Sequence, residues 1–301
     1  MKQIQVIEVQ PQGYCGGVLK AISIAKETRA KYPLETITLL GNLVHNKYVK
    51  QALELENIKT IENKNKTRLE LLDEIDQGIV IFTAHGVAPN VKEKALKKGL
   101  KIVDASCPFV VQTQKIIQQK IQDGYEILYI GKYKHPEAES IYTMDEHVHL
   151  IQDQTITKLD TEKVFVTNQT TMSIYDIQEL FRAIKQAYPK AEFHDEICNA
   201  TRVRQQAVLD LQGQGIDALI VVGDPTSNNT QKLLETGQQA QIPIGIKIQD
   251  INELDPNDLK DAKKVAVTSG ASTPTFLTKQ IIRAIENQDY SHHDIPIKQI
   301  L

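Results

Sequence analysis

Several features that mark large classes of proteins are rare or missing in this sequence. The 301 residues include only three cysteines, and 35 Lys and Arg nearly balance 38 Asp and Glu. No basic cluster is long enough for a nucleic-acid footprint. The longest apolar stretches, such as GIVIFTA from Gly78, are strand-length, and the first residues, MKQIQVIEVQ, lack the regions of a signal peptide. These absences predict a soluble, cytoplasmic protein that binds neither nucleic acid nor membrane.

Several cofactor motifs are also absent. Cys15, Cys107 and Cys198 are an odd number of cysteines in a chain without an export signal, so a disulfide framework is not expected. No C-x-x-C pair, no GxxxxGK[ST] loop and no GxGxxG fingerprint occurs. A zinc knuckle, a nucleoside triphosphate and a bound dinucleotide are therefore disfavoured.

What the sequence does contain is a repeat of about 90 residues, because the cysteines lie 92 and 91 residues apart. Each cysteine ends a segment of strand character and precedes a helical pattern. An apolar strand ending in glycine follows 26, 24 and 25 residues later, at Gly41, Gly131 and Gly223. A further apolar strand then closes on threonine, at Thr83, Thr167 and Thr268.

Apolar strands that alternate with helices predict an α/β fold of small, mainly parallel sheets flanked by helices. We expect three domains related by a pseudo-threefold axis: residues 14–106, 107–197, and 198–286 with an N-terminal strand in 1–13. We expect residues 287–301 to form a C-terminal tail that packs back on the body or over the site. Ligand loops lie at the carboxyl ends of parallel strands, so this trefoil would bring the three cysteines together.

Three converging thiolates have two main uses. A thiolate at a helix amino terminus is stabilised by the helix dipole and the free backbone amides. Three cysteines hold either zinc with a fourth ligand or an iron–sulfur cluster with one open iron. Single cysteines on three separate loops favour a [4Fe–4S] cluster whose open iron acts as a Lewis acid. The alternative is that the cysteines are buried small hydrophobes, which their shared position in the repeat argues against.

Polar side chains on the same loops predict an anion site. The first two copies present His45, His85 and His135, and the third presents Ser227, Asn229 and Ser272. Imidazoles, hydroxyls and amides near helix amino termini suit a phosphate or a diphosphate.

One carboxylic acid, Glu137 in HPEAES, lies on a loop that faces the predicted site. Burial near a cluster would raise its pKa and let it donate protons, with Thr170 nearby. An ordinary first-turn helix glutamate is the competing interpretation. Asp104 and Asp195, each three residues before a cysteine, are expected to stabilise turns or helix caps.

The chain resembles the LytB family of 4-hydroxy-3-methylbut-2-enyl diphosphate reductases. The resemblance rests on an ordered series of motifs from about residue 12 to residue 285: GYCGGV, LVHNKYV, FTAHGV, DASCPFV, HPE, NQTTMS, ICNATRVRQQAV, SNNTQKL and SGASTP. It implies a trefoil around a [4Fe–4S] cluster held by Cys15, Cys107 and Cys198, in agreement with the repeat.

The resemblance also implies a reaction and a set of contacts. The substrate's hydroxyl is lost as water, and two electrons from ferredoxin or flavodoxin give isopentenyl and dimethylallyl diphosphate, the last step of the methylerythritol phosphate route. Glu137, helped by Thr170, supplies protons. The resemblance assigns contacts with the diphosphate substrate to residues of several loops: His45, His85, His135, Thr170, Ser227, Asn228, Asn229 and Ser272. Asn228 stands where many members have serine.

Two other functions are compatible with parts of this pattern. A cluster-dependent hydro-lyase acting on a small anion also uses an open iron, but it should have arginines for carboxylates, whereas these loops offer histidines and hydroxyls. An iron–sulfur or zinc sensor should carry an output module or a DNA-reading motif, and none is recognisable. A reductase is the function that the sequence favours.

Overall fold

The computed structural model describes residues 4–301. Two compact units are present. The first unit comprises the described residues up to Gly16, together with His45–Ala52 and Asn199–Leu301, and the second comprises Gly17–Val44 and Leu53–Cys198. Residues 1–3 of the predicted N-terminal strand segment lie outside the described residues.

The strands are short. In chain order they are β1 (Gln5–Glu8), β2 (Ile37–Leu40), β3 (Ile58–Ile61), β4 (Ile79–Phe82), β5 (Lys101–Asp104), β6 (Glu126–Ile130), β7 (Val148–Ile151), β8 (Val164–Asn168), β9 (Glu192–Phe193), β10 (Ala218–Val222), β11 (Ile244–Ile248) and β12 (Lys264–Ser269).

The helices connect these strands. They are α1 (Gly16–Lys31), α2 (Lys47–Leu55), α3 (Arg68–Leu71), α4 (Pro89–Lys97), α5 (Pro108–Gln122), α6 (Pro136–Tyr142), α7 (Ile174–Ala187), α8 (Asn199–Leu209), α9 (Asn228–Gln239) and α10 (Thr275–Asn287). Among residues 4–301, none of these helices is both long enough and apolar enough to cross a bilayer.

The strands form three four-stranded sheets with the same internal order. The second unit holds β3-β2-β4-β5 and β7-β6-β8-β9, and the first holds β11-β10-β12-β1. Every pairing is parallel. In each sheet the glycine-ending strand and the threonine strand are central, and the strand that leads to a cysteine is at one edge. The predicted class, small parallel α/β sheets flanked by helices, is confirmed. The domain boundaries stay a prediction.

The central strands are apolar because both of their faces are covered. All residues of β2, β4, β8 and β10 are buried, as continuous apolar runs in parallel sheets predict. Val208 of α8 and Leu233 of α9 pack with β10 in the core of the first unit. Ile177 of α7 does the same beside β6 and β8 in the second unit.

One strand in every sheet was not predicted from the sequence. These strands are β3, β7 and β11, each at the edge opposite the cysteine strand. Their sequences, IKTI, VHLI and IGIKI, contain polar or glycine residues and are only partly buried. An edge strand has one neighbour and one more exposed side, so the continuous apolar pattern that identifies a central strand is lacking.

Candidate functional site

Each cysteine lies at the turn between an edge strand and a helix, as predicted. Cys15 directly precedes α1, Cys107 is the N-cap residue of α5, and Cys198 directly precedes α8. All three side chains are partly exposed, and within residues 4–301 none forms a disulfide. A partly exposed thiol at a helix amino terminus is placed for ligation, because the helix dipole stabilises the thiolate.

The three cysteine turns are held by equivalent backbone hydrogen bonds. The backbone N–H of Cys107 donates to the carbonyl of Ala84 at 3.0 Å, and that of Cys198 donates to Thr170 at 3.1 Å. In the first unit the N–H of Cys15 donates to Ala271 at 2.9 Å. Each acceptor lies two residues after the neighbouring central strand, β4, β8 or β12. The cysteine loop and the loop after the threonine strand are therefore one structural element in every copy.

The second unit brings two of the predicted histidines together. The rings of His85 and His135 meet edge to face, with centroids 5.7 Å apart. Thr83 Oγ1 lies 3.3 Å from His85 Nδ1, and Ser140 Oγ donates to the His85 carbonyl at 3.4 Å. His85 is the residue after Ala84, so this pair of imidazoles adjoins the turn of Cys107.

Glu137 is the buried acid of this unit. It is the second residue of α6, and its backbone N–H donates to His135 Nδ1, the N-cap side chain, at 3.2 Å. Its Oε1 accepts the backbone N–H of Thr170 at 2.7 Å. Only 4% of Glu137 is exposed. Glu137 is therefore a first-turn glutamate that is also buried beside candidate site residues, and its role as a proton donor stays a prediction.

Burial changes the acidity of Glu137. Desolvation raises its pKa from the ordinary 4.5 to about 7, against the opposing effect of hydrogen bonds from the backbone and side chain of Thr170. A carboxyl group with a pKa near neutrality can both hold and release a proton at physiological pH. The carbonyl of Thr170 accepts from Cys198, so the acid is two hydrogen bonds away from a candidate iron ligand.

The first unit brings together the other predicted residues. Ser272 Oγ donates to the His45 carbonyl at 2.8 Å, and His45 Nδ1 lies 3.2 Å from Thr226 Oγ1. Ser272 directly follows Ala271, the acceptor for Cys15. This arrangement places His45 and Ser272 at the same loop as the cysteine turn of the first unit.

The SNN segment begins α9 in the same place. Ser227 is the N-cap residue, and its Oγ accepts the backbone N–H of Thr230 at 3.3 Å. Asn228 and Asn229 are the first two helical residues, and both are buried. Asn229 Oδ1 accepts the N–H of Ala271 at 2.9 Å. Amides and hydroxyls at a helix amino terminus make this loop suitable for an anion.

A close approach explains the glycine that ends β10. A Cβ on Gly223 would lie 2.3 Å from Thr230 Oγ1, which no folded chain tolerates without movement. Glycine at this position therefore lets the chain after β10 lie against the first turn of α9.

Two expectations about acidic residues are confirmed, and one polar contact was missed. Asp104 Oδ1 accepts the N–H of Ser106 and Asp195 Oδ1 that of Ile197, so both aspartates stabilise turns. Thr226, the neighbour of His45, was not singled out. Asp224 Oδ1 accepts its N–H at 2.8 Å, and the DPTS turn motif is the signal that could have drawn attention to this loop.

A further buried acid was also missed. Glu196, two residues before Cys198, accepts from Thr113 Oγ1 at 2.9 Å, and its other oxygen lies 2.6 Å from His194 Nδ1. Thr113 belongs to α5, the helix that begins after Cys107. Glu196 therefore links the segments of two cysteines within the second unit, a contact between distant parts of the chain that no local pattern indicates.

The described part of the chain, residues 4–301, contains no group of three or more His, Cys, Asp or Glu side chains arranged for a single metal ion. An iron–sulfur cluster needs a different arrangement of ligands, because each thiolate binds a separate iron. The donor set suits that arrangement, because it consists of three thiols, each at the amino terminus of a helix and in the same local backbone frame. Their convergence stays a prediction.

These features define an α/β protein whose parallel strands carry thiols, imidazoles, a buried acid and side-chain amides on the loops at their carboxyl ends. The profile of the LytB protein family matches residues 6–286. The chain therefore belongs to the LytB family, as its motifs predicted.

Relatives of this family are similar over nearly the whole chain. A 4-hydroxy-3-methylbut-2-enyl diphosphate reductase of Geobacillus kaustophilus is 44% identical, covering 99% of this chain and 97% of the relative. The 4-hydroxy-3-methylbut-2-enyl diphosphate reductase of Listeria monocytogenes is 48% identical, covering 95% of this chain and 87% of the relative. Among solved structures, the E-1-hydroxy-2-methyl-but-2-enyl-4-diphosphate reductase from Plasmodium falciparum has a TM-score of 0.87 at 29% identity, covering 98% and 95%. The prediction of an oxidoreductase is confirmed.

Proposed function

We propose that the chain reduces 4-hydroxy-3-methylbut-2-enyl diphosphate to isopentenyl and dimethylallyl diphosphate, the last step of the methylerythritol phosphate route. The observation that carries this proposal is the enclosed Glu137 beside Thr170 and the Cys198 turn. The names of the relatives support the same substrate. In this reaction a C–O bond breaks, two electrons and two protons enter, a C–H bond forms and water leaves.

The cofactor of the proposal is a [4Fe–4S] cluster held by Cys15, Cys107 and Cys198. When bound, such a cluster supplies electrons and, at an iron without a protein ligand, a Lewis acid. The shared backbone frame of the three cysteines supports this assignment, because each thiol leaves its turn at the same point relative to the neighbouring strand. The source of the electrons is ferredoxin or flavodoxin.

Glu137 is the proton donor of the proposal. Its raised pKa keeps a substantial fraction protonated near pH 7, and the acid form can protonate the leaving hydroxyl. Thr170 holds the carboxyl group in one orientation through its N–H, so the proton is presented from a fixed position. Burial excludes bulk water, which strengthens the contact to a charged substrate.

The diphosphate is assigned to the imidazole, hydroxyl and amide donors of the polar loops. His45, Ser272 and the Ser227–Asn229 segment line the loops of the first unit, and His85 and His135 those of the second. Hydrogen bonds from imidazole, hydroxyl and amide groups to the anionic oxygens of a diphosphate are charge-assisted and strong.

Anaerobic purification with iron and sulfide analysis tests this proposal. We expect a brown protein with about four irons per chain that consumes two electrons from a reduced dye for each hydroxyl lost. Cys107→Ser should lower the iron content, whereas Ser106→Ala should retain it. A colourless protein that gains no iron on reconstitution would contradict the cofactor, and electron uptake without loss of the hydroxyl would contradict the reaction.

A further inference from the structure

Two helices of the second unit share a grooved surface next to a cysteine turn. One shallow groove of about 650 Å³ is lined by α1 residues that include Leu19, Lys20 and Lys26. A second, of about 460 Å³, is lined by Lys20 together with Pro108 and Lys115 of α5. Lys20 belongs to both, so the grooves adjoin. We call this region the α1–α5 surface and define it by Leu19, Lys20, Lys26, Pro108, Phe109 and Lys115.

The surface is positively charged although the whole chain carries a balance of −3. Lys20, Lys26 and Lys115 are exposed, and none of them forms an ion pair with another described residue in 4–301. Glu27 is the acid lining the first groove. Other lysines of the same unit are neutralised, such as Lys94 by Asp73 at 2.7 Å. Unpaired ammonium groups keep their long-range field for a partner.

The same two helices also expose large apolar side chains. Leu19 of α1 is 54% exposed and Phe109 of α5 is 44% exposed. A single exposed leucine or phenylalanine is common, but exposed apolar side chains on helices that also carry unpaired charges are typical of a protein–protein interface. The charges steer encounter, and the apolar side chains supply contact area.

The position of this surface relates it to the redox centre of the proposed function. Pro108 and Phe109 are the two residues that follow Cys107, and they form the start of α5. A protein docked here approaches the backbone that carries a candidate iron ligand. Electron transfer slows steeply with distance, so a carrier gains by binding beside a ligand.

We propose that the α1–α5 surface docks an acidic electron-carrier protein that delivers the electrons of the reductase reaction. This inference rests on the proposed function and names where its partner binds. Acidic groups of the carrier pair with Lys20, Lys26 and Lys115, and an apolar patch of the carrier covers Leu19 and Phe109.

Charge reversal tests the docking site in the loaded enzyme. The double variant Lys20→Glu/Lys115→Glu is compared with Lys92→Glu/Lys97→Glu, which makes the same charge change at exposed lysines of α4 in the same unit. Stopped-flow absorbance measures cluster reduction by a reduced acidic ferredoxin and, separately, by reduced methyl viologen. We expect the ferredoxin rate constant to fall about tenfold or more at low ionic strength. The control pair should change it less than about twofold, and high salt should remove the difference.

An apolar variant sharpens the test. Leu19→Ser keeps all charges, so we expect it to raise the ferredoxin concentration needed for half-saturation while the dye reaction is unchanged. Equal losses in the two charge-reversed pairs, or a parallel loss with the dye, would overturn the proposed surface. Sedimentation of the α1–α5 surface variants provides a further check. If they change from dimer to monomer while their ferredoxin kinetics are unaltered, the surface serves self-association and the proposed docking is overturned. Failure of the dye-driven wild-type reaction would instead contradict the proposed function.

Discussion

The loops after β6 and β8 in the second unit and those after β10 and β12 in the first have the same backbone frame and opposite chemistry. Glu137 and Asn229 are each the second residue of a helix, and each accepts the N–H of a residue two positions past the threonine strand. Those residues, Thr170 and Ala271, in turn accept the N–H of Cys198 and Cys15. One frame thus holds an ionisable acid in one unit and a permanently neutral amide in the other.

In the proposed function, this difference separates two roles that conflict at a single position. An acid with a pKa near 7 can donate a proton, but its carboxylate form repels phosphate oxygens. An amide donates hydrogen bonds at any pH and transfers no proton. Repetition of the frame lets the protein keep both side chains, each in the loop whose neighbours suit it.

The largest expected effect comes from making the second-unit loop resemble the first. Glu137→Gln keeps the size and the Oε1 acceptor for Thr170 but removes the proton, so we expect turnover to fall by about 10²–10⁴-fold. Single-turnover kinetics with dye-reduced enzyme measures this. Glu126→Gln, in the strand β6 that precedes α6, is the control and should retain nearly full turnover. A Glu137→Gln enzyme with wild-type turnover would show that the proton comes from another group.

An intermediate effect concerns stability against pH. The pKa of Glu137 is higher in the folded protein than in the unfolded chain. Its contribution to the free energy of unfolding is therefore fully present below about pH 4.5 and is lost as the pH rises through about 7. The total change is on the order of 3 kcal/mol. Denaturation curves at pH 5 and pH 8 should show the wild type losing stability relative to Glu137→Gln. Parallel curves for the two proteins would mean that the acid titrates normally.

The smallest expected effect comes from the reciprocal exchange. Asn229→Asp retains the Oδ1 acceptor for Ala271 but introduces a negative charge, and we expect about a tenfold rise in KM for the diphosphate, with a smaller change in kcat. Asn287→Asp, at the exposed end of α10, makes the same charge change and should leave KM unaltered. If both variants have the wild-type KM, the SNN loop does not contact the diphosphate.

The repeat was the most informative signal in the sequence because it combined spacing with chemistry. Cysteine, glycine and threonine recur at nearly equal intervals, so the sheets, the cysteine turns and the polar loops could all be predicted from one alignment of the chain with itself. Edge strands such as β7 were not predicted, because half of the residues of β7 are only partly buried and the strand lacks a continuous apolar run. The turn roles of Asp104 and Asp195 followed from their distance to a cysteine.

The sequence by itself determined the α/β class and the family and indicated the candidate site residues, because residue types at fixed intervals carry that information locally. The tertiary structure decided which groups meet within each unit: His85 with His135, Glu137 with Thr170, and Ser272 with His45. It also decided the acidity of Glu137, since burial by distant segments, rather than the HPE motif, raises that pKa. Desolvation and long-range hydrogen bonds depend on packing between segments far apart in the chain, which no local pattern encodes.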